Sequence, residues 1–85
     1  MSECRLWKHV ICQAISDSYL GSAKEKLKVA EWLMSEDYVT CCDMAELRPE
    51  NLHKLIKEIL TSKPVVARYL GERLKKVIQD RGYLY

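Results

Sequence analysis

Glycine is scarce in this 85-residue chain, with three residues, and proline scarcer still, with two. A sheet protein of this length needs several tight turns, and tight turns draw on both residue types. The scarcity therefore argues against a β fold. A long apolar run is also missing, since no stretch approaches the ~20 residues that cross a bilayer as a helix. The start, Met1-Ser2-Glu3-Cys4-Arg5, lacks the basic-then-apolar order of a secretory leader. A cytosolic protein with no membrane association is expected.

Metal-ligand spacing is missing too. The cysteines are Cys4, Cys12, Cys41 and Cys42, with no Cys-x-x-Cys pair, and adjacent Cys41 and Cys42 are poorly placed to bridge each other. Adding His9 or His53 produces no common zinc module. A Cys12–His9 nucleophilic pair needs an orienting third group and a pocket, which a bundle this small rarely spares. In a reducing compartment the thiols serve as small, readily buried hydrophobes. No metal, cofactor or enzymatic activity is expected.

What is present is periodic. The chain is 48% hydrophobic and 31% charged, the balance of a folded protein, and its length allows one domain over residues 1–85 with one core. Five helices are expected, with no internal repeat. The first covers about residues 3–19, with Leu6, Trp7, Val10, Ile11, Ala14, Ile15 and Ser18 on one stripe and Gly21 as its C-cap. The second covers about 23–34 behind a Ser22–Glu25 capping box, burying Leu27, Val29, Ala30, Trp32 and Leu33, with Lys24, Lys26, Lys28 and Glu31 facing water. The third covers about 36–46, capped by Ser35, with Tyr38, Cys41, Cys42 and Ala45 on one face.

The fourth covers about 49–61, opens on Pro49, and carries Leu52, Leu55, Ile56, Ile59 and Leu60 as its stripe. The fifth covers about 64–80, with Ser62 as its cap, Val66, Tyr69, Leu70, Leu74, Val77 and Ile78 inward, and Gly82 as a stop. Tyr83-Leu84-Tyr85 forms a short apolar tail that either folds back or stands out for a partner. Trp7 and Trp32 read as core anchors, and Gln13 with Asp17 as a polar pair whose acid bonds near the start of the second helix. Five amphipathic helices sharing one core make a compact all-α bundle of short helices.

Charge is polarised along the chain. Residues 1–47 hold five Lys/Arg against eight Asp/Glu, and residues 48–85 hold nine against four. The basic half favours an anionic partner. Within it, Tyr38–Lys57 has the spacing of a helix-turn-helix: Cys42 at the small buried position, Leu47 plugging the turn, and Leu52 and Leu55 at two core positions of the second helix.

That second helix then offers Arg48, Asn51, His53, Lys54 and Lys57 as candidate nucleic-acid contacts, with Asn51 suited to adenine edges and the lysines to bases or phosphates. Glu50 can accept from cytosine and equally repels phosphate. Arg68, Lys75 and Lys76 on the fifth helix are further candidates for the DNA backbone, joined by Arg73 and Arg81. Glu72 and Asp80 interleave with them and are candidate ion-pair partners for Arg73 or Lys76.

In order along the chain stand Trp7, Gln13-Ala14, Asp17, Trp32-Leu33, Asp37-Tyr38, Cys42, Ala45, Leu47, Pro49 and Leu52. This pattern resembles a family of small phage- and prophage-encoded helical proteins, over about residues 6–56. The family tends to have Gly at the place of Glu46 and Asp at the place of Arg48. The resemblance implies a phage or mobile-element origin more firmly than an activity. Two functions follow as expectations: a DNA-binding regulator or accessory factor acting on duplex DNA, or a protein-binding phage factor that inhibits or redirects a host protein such as a polymerase or a defence nuclease. A homodimer is compatible with both.

Overall fold

The structure is a computed structural model and describes residues 3–80, the side chain of Glu3 excepted. The proposed tail, with Arg81 and Gly82, lies outside the described residues. Five helices follow in order: α1 Glu3–Leu20, α2 Ala23–Leu33, α3 Glu36–Met44, α4 Pro49–Thr61 and α5 Pro64–Asp80. They form a compact all-α bundle with a radius of gyration of 11.7 Å.

Local chemistry sets most of the helix ends. Ser22 accepts from the Glu25 amide at 3.3 Å while the Glu25 carboxylate accepts from the Ser22 amide at 3.1 Å, which completes the capping box of α2. Ser35 caps α3 by accepting from the Tyr38 amide. Pro49 opens α4 at a position whose amide would be unpaired anyway.

Two expected caps differ. Gly21 does not adopt the left-handed C-cap conformation. It is needed for space, because a Cβ there would lie 2.5 Å from the Asp17 carbonyl oxygen and 2.9 Å from Glu25 Cβ. Ser62 ends α4, its hydroxyl donating to the Glu58 carbonyl at 2.6 Å, and does not start α5. With Pro64 as the first residue of α5, the Lys63 carbonyl takes the first helical bond, from Ala67.

Helices α1 and α4 each pack against all four others, whereas α5 packs only against α1 and α4. Ile11 and Ile15 are inaccessible, and Cys12 and Ser18 are buried with them. Ser18 is tolerated because its hydroxyl donates to the Ile15 carbonyl one turn back. Tyr38, Cys42, Ala45, Leu52, Ile56, Ile59 and Ile78 join the same core, with Trp7 and Trp32 only partly buried at its edge.

The inward stripe of α1 is rotated from the expected one. Leu6 and Val10 are exposed, while Cys12 and Tyr19 face α5. On α2, Leu27 is exposed and Lys26 is half-buried. On α5 the buried residues are Ala67, Gly71, Leu74 and Ile78, and Val66 and Tyr69 are exposed.

Gly71 explains this last shift. A Cβ at that position would overlap the Tyr19 ring, so the absence of a side chain lets α5 lie directly on an aromatic of α1. The Lys75 ammonium sits over the same ring, 5.1 Å from its centroid. The Tyr19 hydroxyl is buried without a partner among the described residues.

Gly71→Ala is therefore expected to cost about 1–3 kcal/mol through overpacking, read from urea denaturation followed by circular dichroism. Tyr19→Phe removes the orphaned hydroxyl and should be neutral or stabilising. A Gly71→Ala variant stabilised by about 0.5–1 kcal/mol, the full helix benefit of alanine over glycine, would mean that α5 does not rest on Tyr19.

Candidate nucleic-acid interface

The helix-turn-helix expectation turns on how α3 stops. Ala45 ends the helix and Glu46 follows with φ 59°, the one non-glycine residue in the left-handed region among those described. The Glu46 amide donates to the Asp43 carbonyl at 3.1 Å and the Leu47 amide to the Cys42 carbonyl at 2.8 Å. This pair of bonds is a complete Schellman stop, which usually employs glycine at the left-handed position.

Leu47 turns into the core beside Ala45 and Cys42, and all three are buried. The N-terminal part of α1 covers the stop. The Cys4 thiol donates to the Ala45 carbonyl at 3.3 Å and lies 3.4 Å from the Glu46 carboxylate. The chain thus keeps the turn geometry that glycine would favour, with a glutamate holding it.

Helix α4 is locked to α3 by one buried side chain. The Tyr38 hydroxyl donates to the Pro49 carbonyl at 2.6 Å, tying the first turn of α3 to the first turn of α4. Burial pushes this phenol far above its ordinary value, so it remains a donor. The Tyr38 ring meets Trp32 edge-on at 5.0 Å and His53 edge-on at 6.0 Å. One aromatic row therefore joins α2, α3 and α4.

These contacts sort the candidate residues. Arg48, Asn51, Lys54 and Lys57 are exposed along α4, alongside Glu50 and Glu58. Arg48 occupies the N-cap position without making a side-chain cap bond. His53 is half-buried against Tyr38, so packing fixes its ring. Arg68 and Lys76 are exposed on α5.

Lys75 lies elsewhere, in the seam between α1 and α5, where its ammonium donates to Ser16 Oγ at 2.9 Å and stands 3.7 Å from Glu72. Glu72 thus pairs with Lys75, not with Arg73 or Lys76. Asp17 likewise accepts from Gln13 Nε2 at 3.2 Å and leaves the start of α2 to Ser22. Gln13, Ala14, Asp17 and Trp32 line a groove between α1 and α2 together with Val10 and Val29.

The thiols are packed, not activated. Cys12, Cys41 and Cys42 are buried and Cys4 is half-buried. Burial raises all four, pushing Cys42 up to about 11 from its ordinary 9.0. No three His, Cys, Asp or Glu side chains converge as a metal site among the described residues. None of the described helices is long and apolar enough to cross a membrane. Comparison with protein-family models, curated proteins and solved structures finds no match.

Two outcomes follow from this geometry. Glu46→Gly relieves a left-handed residue whose conformation costs roughly 1–2 kcal/mol, less the backbone entropy that glycine loses on folding, so a net gain of about 0.5–1 kcal/mol is expected in thermal unfolding. A loss of stability would contradict the Schellman stop.

The raised thiols set the sign of the alkaline response. The unfolded chain releases its thiol protons near pH 9.0, before folded Cys42 does near 11. Stability should be full below pH 9 and fall as pH rises toward 11. The urea midpoint measured across that window checks this, and Cys42→Ala should flatten the slope.

Proposed function

We propose that the chain is a small DNA-binding regulator or accessory factor that presents α4 to the major groove of duplex DNA. The observation that carries this reading is the turn at Glu46 and Leu47, which supplies a left-handed residue and a buried plug at the spacing such a unit needs. The helix that follows spans 13 residues, about 20 Å at 1.5 Å per residue. Only its outward side, with Asn51, Lys54 and Lys57, is exposed, and a helix about 10–12 Å in diameter matches a groove about 12 Å wide.

Its unpaired N-terminal amides and the exposed Arg48 suit a phosphate. Asn51 offers a bidentate amide to adenine, and Lys54 and Lys57 offer charge to bases or backbone. His53 contributes by holding α4 against Tyr38. Glu50 and Glu58 moderate the attraction and penalise misplaced phosphates. The resemblance to phage-encoded proteins agrees with an accessory factor of this size.

Fluorescence anisotropy with a pool of random 25-base-pair duplexes tests the reading. Three cations on phosphates give a salt slope of about −2.7, so affinity should drop about 40-fold between 50 and 200 mM salt. Lys54→Glu with Lys57→Glu should abolish binding and leave the far-ultraviolet spectrum unchanged. Absence of any shift by the wild-type chain at low salt would sink the proposal.

A further inference from the structure

Helix α5 leaves a side unpartnered. Among the described helices it packs only against α1 and α4, and its buried stripe is Ala67, Gly71, Leu74 and Ile78. The outward side carries Val65, 83% exposed, and Tyr69, 62% exposed, with Val66 beside them at 48%. Val65 and Tyr69 share an open depression with Arg68, Glu72, Arg73 and Lys76.

The charges around this apolar centre are largely uncommitted. Arg73 Nη1 donates to the Tyr69 hydroxyl at 3.2 Å, which holds the phenol ring in place. The acid, Glu72, is engaged by Lys75. Arg68 and Lys76 have neither an ion pair nor a hydrogen-bond partner among the described residues. The result is a valine and a tyrosine within a ring of three guanidinium and ammonium groups.

That combination discriminates between ligands. A phosphate backbone would engage the cations but leave Val65 and Tyr69 in water, so the apolar centre would add nothing. An uncharged apolar partner would desolvate the cations without pairing them. An amphipathic segment satisfies both, with apolar side chains on the valine and tyrosine and carboxylates at the rim. Tyrosine and arginine are also the residue types that most often anchor protein interfaces.

We infer that the outward face of α5 docks an acidic amphipathic segment of a partner protein, with its apolar anchors on Val65 and Tyr69 and its carboxylates toward Arg68, Arg73 and Lys76. This site shares no residue with the α4 surface and stands or falls separately from DNA binding.

A random 16-residue peptide display library, selected on the immobilised full chain, tests it. Enriched peptides should carry Asp and Glu flanking large apolar residues at i, i+3/i+4 and i+7. Resynthesised with a fluorescent label, they should bind Val65→Ser, Tyr69→Ser and Arg68→Glu/Lys76→Glu at least tenfold more weakly. These positions are exposed, so the folded state should survive, as circular dichroism can verify.

Lys54→Glu/Lys57→Glu should bind the peptides unchanged, and a 25-base-pair duplex should not displace them. No enrichment, a basic or purely polar consensus, or undiminished binding by Tyr69→Ser would overturn the inference. Displacement by duplex, or loss in the α4 variant, would do so as well, by returning this face to the nucleic-acid surface.

Discussion

The bundle depends on burial against two helices, α1 and α4, each of which packs against all four others. Helices of nine to eighteen residues are marginal when isolated, so each must find an apolar surface, and α1 supplies one to all four. Ile11 and Ile15 sit at that meeting point without solvent contact. Ser18 shares it because its hydroxyl is satisfied within its own helix. The remaining demand is closeness, met where Gly71 lets α5 rest on the Tyr19 ring. The orientation of α5, and hence what it shows to solvent, follows from that single missing side chain.

The order and type of the helices were legible because their ends carry local chemistry. Ser22–Glu25, Ser35, Pro49 and Pro64 act within a turn of themselves, and the bounds of α4 and α5 are those expected. Which side of a helix faces inward was less legible, because burial is decided by neighbours. On α5 the strict four-three-four spacing of Ala67, Gly71, Leu74 and Ile78 marked the true stripe. Two of those residues are small, and hydrophobicity pulled the expectation toward Val66 and Tyr69. Leu27 and Val10 were misplaced for the same reason, since apolar character does not say whether a partner helix stands opposite.

Within the candidate interface, the turn was the most legible part. Cys42, Leu47 and Leu52 are buried as their spacing required. Glu46 departs from glycine in identity but not in conformation, which no propensity scale predicts. The candidate cations were harder to sort. Lys75 and Lys76 are neighbours in sequence, yet a 100° step along the helix places one in the α1 seam and the other on the open side. The Tyr38 row was invisible as well, because it joins three helices through one side chain.

The sparse ion pairing has a consequence for how the molecule responds to its surroundings. Among the described residues, the cations of α2, α4 and α5 form a single ion pair, between Lys75 and Glu72, within one helix. Cohesion comes from apolar contact and backbone bonding, which salt screens little, while nearly all the surface charge stays available to the exterior. Ionic strength should then leave the folded state almost untouched and act mainly on what the surface attracts. In such a molecule the energy that holds the fold and the energy that recruits a partner are drawn from different interactions, so recruitment can be tuned across wide limits without endangering the fold.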